Sequence, residues 1–149
     1  MSAFSDKKLH EQTIFIVDDE QTNLKLLDKI LTSAGYTNLV LIRDPREVLS
    51  LYREYRPSLI LLDLNMPGID GYQVMEELGR LGDPLLPPII ILTAQHHQEY
   101  LLKALEAGAR DFISKPFDRR ELLMRVQNFL DAHVSHRLVH NQKDHLEML

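Results

Sequence analysis

Polar residues of three chemical types follow short apolar runs in this chain of 149 residues. The adjacent carboxylates Asp18 and Asp19 follow one run, and Asp63 follows another. Thr93 and Lys115 each come directly after a further run. Carboxylates that lie close together repel one another and are costly to keep ionised without a cation. Oxygen ligands without nitrogen or sulfur favour a hard ion such as Mg²⁺, with Mn²⁺ as a substitute, so the sequence predicts a magnesium site where these runs meet.

The same residues have the chemistry needed to handle a phosphoryl group. A carboxylate can attack phosphorus and form an acyl phosphate, and Asp63 is the best candidate nucleophile because it stands alone at the end of its run. Asp18 and Asp19 are better metal ligands, since adjacent carboxylates can share one ion. The ammonium of Lys115 supplies a positive charge, and the Thr93 hydroxyl can donate a hydrogen bond to a phosphoryl oxygen. Together these residues indicate phosphoryl transfer to an aspartate.

The apolar runs alternate with amphipathic stretches along the whole chain. The pattern predicts strands at residues 13–17, 38–42, 59–62, 89–92 and 111–114, and helices at 24–35, 46–54, 70 to 79 or 82, 100–107 and from about 118 onward. Such alternation predicts an α/β fold, in which right-handed crossovers join parallel strands and helices cover both faces of the sheet. Sites in such sheets form beyond the carboxyl ends of the strands, where the five candidate residues lie.

Three short motifs accompany the candidate residues. They are LDLNMPG at residues 62–68, Thr93-Ala94 and Lys115-Pro116-Phe117. Together with the Asp18-Asp19 pair, these motifs resemble the receiver domain of two-component signalling over residues 12–131, and as a set they are specific. The resemblance implies a doubly wound, flavodoxin-like sheet of five parallel strands in the order 2-1-3-4-5, followed in this chain by an extended C-terminal helix.

The resemblance also implies a role for each residue of the metal site. Asp63 would be the phosphoacceptor and also a metal ligand. Asp19 would bind Mg²⁺ directly, and Asp18 would bind it mainly through water. The backbone carbonyl of Asn65 would complete the protein's share of the metal shell.

Further roles implied by the resemblance concern the phosphoryl group and the switch. Thr93 and Lys115 would contact the phosphoryl group, and Thr93 would act together with the aromatic residue Phe112 as a switch. The peptide bond between Lys115 and Pro116 is expected to be cis. The donor would be a histidine kinase or a phosphotransfer protein, and phosphorylation would bias a two-state equilibrium. The chain would catalyse only its own phosphorylation and slow dephosphorylation, and would not be an enzyme for a foreign substrate.

Composition narrows the class of protein. The formal net charge of −5 argues against a broad nucleic-acid surface within this chain. The absence of cysteine excludes disulfides and thiolate zinc sites. The N-terminal segment lacks the apolar stretch of a signal peptide, and the longest apolar runs are too short to span a bilayer. We therefore expect a cytoplasmic protein that does not bind membranes.

The predicted domain boundaries divide the chain into a tail at residues 1–11, the receiver at 12–131 and a helical extension at 132–149. The extension carries an imperfect heptad pattern at Val134, Leu138, Asn141, His145 and Met148. Two interpretations stay open, a frayed end or a signalling helix that dimerises or leads to an output domain missing from this chain. A homodimer through the face of strands 4 and 5 is a further alternative. We expect the tail histidines to be exposed, namely His133, His136, His140 and His145.

Three other functions fit part of the pattern. A phosphatase of the haloacid-dehalogenase type also uses a strand-end aspartate, but it needs a second Asp two residues on, where this chain has Asn65. A nucleotide-binding module would carry a glycine-rich loop after the first strand, where this chain has Asp18 and Asp19. A receiver used only for docking would not need the acceptor-site residue types, all of which are present.

Overall fold

The apolar runs form strands and the amphipathic stretches between them form helices. A computed structural model describes the backbone of residues 6–64, 71–94 and 98–148, and their side chains except for Asp6, Gln98, Tyr100 and 142–148. In chain order, its elements are α1 (Asp6–His10), β1 (Thr13–Val17), α2 (Gln21–Ser33), β2 (Asn38–Ile42), a 3-10 turn (Pro45–Glu47), α3 (Val48–Tyr55), β3 (Leu59–Asp63), α4 (Gly71–Gly79), β4 (Ile89–Thr93), α5 (Gln98–Glu106), β5 (Asp111–Ser114) and α6 (Arg119–Met148).

All five strands are parallel and form one sheet in the order β2-β1-β3-β4-β5, which confirms the predicted topology. The inner strands β1, β3 and β4 are buried along nearly their whole length, as continuous apolar runs predict for a sheet covered on both faces. The pairing of β3 with β4 extends to Asp63 and Leu92. Since the strands run in the same direction, their carboxyl ends all lie at one edge of the sheet.

Successive residues of each strand contribute to two separate apolar cores, because side chains alternate between the faces of a sheet. Ile14, Leu61 and Leu92 belong to a core that also contains residues of α1, α2 and α6. Phe15 and Leu62 belong to a second core, which contains residues of α3, α4 and α5. Helices on both faces thus bury the apolar surface that provides the main driving force for folding.

Local turn chemistry sets the ends of two helices. Asp44 accepts a hydrogen bond from the backbone N–H of Arg46 at 3.0 Å, and Pro45 occupies the first helical position. The predicted helix in this region therefore starts as a 3-10 turn and continues as α3. Gly35 follows α2 with a φ of 107°, a left-handed conformation that glycine adopts without strain.

The predicted N-terminal tail contains a short helix, α1. Leu9 is 1% exposed and lies in the first core. The ring of His10 meets the ring of Tyr36 edge-on, with centroids 4.9 Å apart. The backbone N–H of Thr37 donates to the His10 carbonyl at 3.1 Å and connects the helix to the start of β2. One buried leucine produces no periodic pattern, which is why the sequence predicted only a tail here.

The last helix, α6, extends without interruption from Arg119 to Met148. Val134 is 7% exposed and belongs to the first core, so the first position of the predicted heptad packs against the receiver. Leu138 and Val139 are exposed to 46% and 64%, and their pairing with a second copy stays a prediction. Among the described helices, none has the length and apolar character needed to cross a membrane.

The tail histidines differ in exposure. The expectation of exposed side chains is wrong for His133, which is only 6% exposed. It is correct for His136, which is exposed and whose Nε2 lies 3.2 Å from the carbonyl oxygen of Pro84. His140 is partly buried, contrary to the expectation, and the side chain of His145 lies outside the described residues. The difference arises because one face of α6 continues to pack against the domain beyond residue 131.

Candidate functional site

The candidate residues lie together at the carboxyl edge of the sheet. Asp18 follows β1, Asp63 ends β3, Thr93 ends β4, and Lys115 follows β5. Backbone hydrogen bonds hold the adjoining loops in register. The N–H of Asp18 donates to the carbonyl of Ile42 at 3.0 Å, and the N–H of Lys115 donates to the carbonyl of Thr93 at 2.9 Å. Residues as far apart in sequence as Asp18 and Lys115 therefore share one small volume.

Three carboxylates form a cluster at this edge. Asp18, Asp19 and Asp63 each offer one oxygen atom, and these atoms lie within 4.8 Å of one another. Asp18 is fully buried, Asp63 is 4% exposed, and Asp19 is partly exposed. The Oδ1 atom of Asp18 accepts a hydrogen bond from the backbone N–H of Glu20 at 2.9 Å, whereas its Oδ2 atom has no hydrogen-bond partner among the described residues. Like charges this close and this buried repel one another strongly.

Lys115 supplies a positive charge to the cluster. Its Nζ donates a hydrogen bond to Oδ1 of Asp63 at 3.2 Å and lies 3.5 Å from Oδ2 of Asp18. The lysine side chain is 20% exposed, so water screens these ion pairs only partly. One ammonium faces three carboxylates, and the cluster therefore keeps an excess of negative charge.

The donor set fits a hard divalent cation. All the side-chain ligands are oxygen atoms, which Mg²⁺ and Mn²⁺ prefer. The buried Oδ2 atom of Asp18, to which no described residue donates a hydrogen bond, would gain a partner from such an ion. The predicted fourth ligand, the backbone carbonyl of Asn65, lies outside the described residues.

The candidate switch residues lie on the two neighbouring strands β4 and β5. Thr93 is 1% exposed. Ile91, two residues before it, pairs with Phe112 in the register of these strands. Phe112 is partly buried and packs against the second core. The peptide bond between Lys115 and Pro116 is cis, as the resemblance implied.

Gly71 allows α4 to pack closely against the end of β3, a role that the sequence did not predict. A Cβ atom at this position would lie 3.0 Å from the carbonyl oxygen of Asp63 and 3.0 Å from the Cα atom of Leu64. Its N–H also donates to the Leu64 carbonyl at 3.1 Å. The first turn of α4 therefore packs directly against the strand end that carries Asp63. The one signal in the sequence is a glycine at a predicted helix start, where helix propensity alone would disfavour it.

Comparison with known proteins gives a consistent result. Residues 14–127 match the family model of the response regulator receiver domain. The probable transcriptional regulator ycf27 of Porphyridium aerugineum is 37% identical over 82% of this chain and 49% of its own length. The response regulator MprA of Mycolicibacterium vanbaalenii is 38% identical over 78% of this chain and 49% of its own length. The chain spans about half the length of these curated relatives.

Solved structures of similar fold cover most of the chain. A putative response regulator from Chloroflexus aurantiacus has a TM-score of 0.73 and 35% sequence identity, with 80% of this chain and 98% of that chain covered. A CheY-like response regulator receiver domain protein from Methanospirillum hungatei has a TM-score of 0.76 and 28% identity, with 85% of this chain and 98% of that chain covered.

Proposed function

Because the chain belongs to the response-regulator receiver family, we propose that Asp63 is its phosphoacceptor. The chain is a receiver domain of two-component signalling, and phosphorylation of an aspartate with bound Mg²⁺ is general for this family. Asp63 is chosen as the acceptor because it contacts Lys115 within a carboxylate cluster at the end of a central strand.

The proposed transfer is a single displacement at phosphorus. A carboxylate oxygen of Asp63 attacks the phosphorus of a phosphohistidine on the donor protein, and a P–O bond forms while the P–N bond breaks. The electron pair of the broken bond returns to the imidazole nitrogen, which takes up a proton from water. The Lys115 ammonium and the Thr93 hydroxyl then stabilise the phosphoryl oxygens. Thr93 ends β4, the strand next to β3, and Lys115 follows β5 and contacts Asp63, which supports this assignment.

Asp18, Asp19 and Asp63 would hold the divalent cation, together with the backbone carbonyl of Asn65. When bound, Mg²⁺ or Mn²⁺ supplies positive charge that offsets the charge of the carboxylates and of the phosphoryl oxygens. The excess negative charge of the cluster supports this part of the proposal, since Lys115 alone offsets one of three carboxylates.

The phosphorylated site is proposed to act through Thr93 and Phe112. Movement of Thr93 toward the phosphoryl group would leave space beside β4, and the partly buried ring of Phe112 would turn into that space. Phosphorylation would in this way shift a pre-existing equilibrium between two packings. The surface formed by β4, β5 and their flanking helices would then carry the signal to a partner.

The partners that we propose follow from the same chemistry. A histidine kinase or a phosphotransfer protein donates the phosphoryl group, in the cytoplasm, and the chain has no catalytic role beyond its own phosphorylation and dephosphorylation. Two relatives that are named probable transcriptional regulators align with this chain over only about half of their own length, which supports an output that lies outside residues 1–149. A homodimer through the β4–β5 face or through α6 is the alternative route of output. Nucleic-acid binding by these residues themselves is not part of the proposal, because their net charge is −5.

The decisive experiment is intact-protein mass spectrometry after exposure to acetyl phosphate. The wild-type chain should gain about 80 Da in Mg²⁺ and nothing in excess chelator. Asp63→Asn should gain nothing in either buffer. Asp28→Asn is the matched control, because Asp28 lies on α2 and accepts a hydrogen bond from Thr32. It should be phosphorylated like the wild type.

An adduct of unchanged yield in Asp63→Asn would show that another residue is the acceptor. Rapid hydrolysis can hide an adduct, so a complex with beryllofluoride and Mg²⁺ provides an independent measurement. If the chain gave neither an adduct nor a beryllofluoride complex, and did not bind Mg²⁺, the phosphoacceptor proposal would be wrong and the docking-only interpretation would replace it.

A further inference from the structure

A pocket of about 250 Å³ lies at the amino-terminal edge of the sheet, opposite the carboxylate cluster. Pro57, which precedes β3, and Asp83, which precedes β4, form part of its wall. His133 and Arg137 of α6 form another part. Both α6 residues lie beyond residue 127, where the match to the receiver family ends. The pocket therefore depends on a segment that is additional to the family fold.

His133 contributes a polar side chain to the lining of the pocket. The residue is 6% exposed, and its ring forms no hydrogen bond to any of the described residues. Burial, and next the positive charge of Arg137, lower the pKa of His133 to about 4. The ring is therefore neutral at neutral pH, with one nitrogen that can donate a hydrogen bond and one that can accept. Because His133 lines the pocket, a ligand that enters the pocket can form hydrogen bonds with this imidazole.

The groups that contact Arg137 among the described residues are neutral. Its Nη1 donates to the Ser58 hydroxyl at 3.2 Å and lies 3.4 Å from Oε1 of Gln12. The Ser58 hydroxyl itself donates to the same Gln12 oxygen at 2.6 Å. Within the described part of the chain, no carboxylate forms an ion pair with Arg137. A guanidinium has five N–H donors in a planar fork that matches carboxylate and phosphate oxygens, so most of its donors remain for another acceptor.

Asp83 is not the acceptor for the remaining N–H donors of Arg137, because its carboxylate already accepts hydrogen bonds from other groups. It accepts hydrogen bonds from the Tyr52 hydroxyl at 2.5 Å, from Arg56 at 2.9 Å and from the backbone N–H of Leu85 at 2.9 Å. Arg56 and Asp83 form an ion pair with each other. With His133 neutral, the guanidinium of Arg137 leaves the pocket with one positive charge in excess.

We propose that this pocket binds a small organic anion through a carboxylate or phosphate group. Its oxygens would accept hydrogen bonds from the guanidinium of Arg137 and from the N–H of the His133 imidazole. Its apolar part would lie against Pro57 and the ring of Tyr52, which also line the pocket. The ligand would join α6 to the ends of β3 and β4, far from Asp63, and its binding does not depend on phosphorylation.

The test is an NMR titration of the isotope-labelled chain with sodium acetate and, separately, with inorganic phosphate. Chloride keeps the ionic strength constant, and the signals followed are the His133 imidazole and the Arg137 guanidinium. At least one probe should give saturable shifts of both side chains. Saturation by acetate alone would identify a carboxylate ligand, and saturation by phosphate alone a phosphate ligand.

Arg137→Gln should weaken the binding of the saturating probe roughly tenfold or more, since it removes a charged hydrogen-bond donor. His133→Phe keeps an aromatic ring without its N–H and should also weaken binding. The matched control is Arg46→Gln, because Arg46 is an exposed arginine that pairs with Asp44 at a different surface. It should bind the probe like the wild type.

Arg137→Lys separates a loss of binding from a loosened helix, because it keeps the charge and the length of the side chain but not the planar fork. It should bind more weakly than the wild type while α6 stays folded in the same spectra. Linear shifts without saturation for both probes would overturn the proposal. Equal affinity of the wild type, Arg137→Gln and His133→Phe would overturn it as well.

Discussion

The two edges of the sheet have opposite electrostatic arrangements. At the carboxyl edge, the three clustered carboxylates are paired with Lys115, and Oδ2 of Asp18 has no hydrogen bond among the described residues. At the amino-terminal edge, Asp83 is paired with Arg56, and Arg137 adds a positive charge whose contacts in the described part of the chain are neutral groups. The first edge is suited to a cation and the second to an anion.

Charged groups without a full set of partners lie at the two edges of this sheet. Both cores between the two edges are apolar and closely packed, and their residues serve stability. Charge without a full complement of partners costs stability, and it is found here at the two edges where loops converge and a ligand can approach. The carboxyl edge belongs to the family fold, whereas the amino-terminal edge is completed by the additional part of α6.

The largest expected effect tests the role of Lys115 at the carboxyl edge. In chelator, Lys115→Met should lower the free energy of unfolding by about 3 kcal/mol, because it leaves buried carboxylates without their ammonium partner. Urea denaturation followed by circular dichroism measures the change. Lys25→Met, at an exposed lysine of α2, should change stability by less than about 0.5 kcal/mol. Equal effects of the two substitutions would show that the ion pairs at this edge contribute little.

The next largest effect is on stability and comes from the excess negative charge of the carboxylate cluster. Asp18→Asn should raise the stability of the metal-free chain by about 1 kcal/mol, because it removes one of three repelling charges. The same variant should lose most of the stabilisation by Mg²⁺, which for a single site reaches roughly 2.7 kcal/mol at a hundredfold excess over Kd. Thermal unfolding with and without Mg²⁺ measures both effects.

Asp28→Asn should keep the wild-type response to Mg²⁺ and serves as the control for Asp18→Asn. A destabilised metal-free Asp18→Asn variant with an intact Mg²⁺ response would contradict the interpretation of the cluster as a metal site.

A smaller effect is expected from pH at the amino-terminal edge. The pKa of His133 is lowered to about 4 in the folded chain, first by burial and then by the charge of Arg137. Between about pH 6.5 and pH 4 the unfolded chain binds a proton at this residue and the folded chain does not, so stability falls as the pH falls through this window. The wild type should lose about 1–2 kcal/mol more than His133→Phe over this range, less than the full shift implies because the ring borders an open pocket.

Denaturation curves at pH 7 and pH 4.5 provide the measurement for His133. His136→Phe is the control, because His136 lies on the same helix but is exposed, and it should retain the wild-type pH dependence. An identical pH dependence of the wild type and His133→Phe would show that the buried ring titrates normally.

The smallest effect concerns the hydrogen bond between Tyr52 and Asp83. Tyr52→Phe removes a hydroxyl that donates to the carboxylate at 2.5 Å, and it should cost about 1 kcal/mol of unfolding free energy. Tyr55→Phe is the matched control on the same helix, where the ring is 48% exposed, and it should cost less. If Tyr52→Phe proved neutral, Arg56 and the backbone N–H of Leu85 would suffice for Asp83.

Much of the fold could be predicted because the relevant signals are local. The run at residues 89–92 is apolar throughout and became β4, an inner strand buried on both faces. The candidate residues at strand ends needed only the rule that parallel strands align their carboxyl ends. The helix predicted at 46–54 begins two residues later, at Val48, because Pro45 starts a 3-10 turn before it.

The sequence by itself determined the alternation of strands and helices and the identity of the residues at the carboxyl edge, because each depends on periodicity or on residue type. The order of the five strands followed from the resemblance of the motifs to the receiver family. Only the tertiary structure decided that Leu9 and His133 are buried, and that Arg137 contacts Ser58 across 79 positions of the chain. It also decided that Lys115 is shared between Asp18 and Asp63. Contacts between residues so distant in sequence leave no periodic pattern, since they arise only when separate elements pack together.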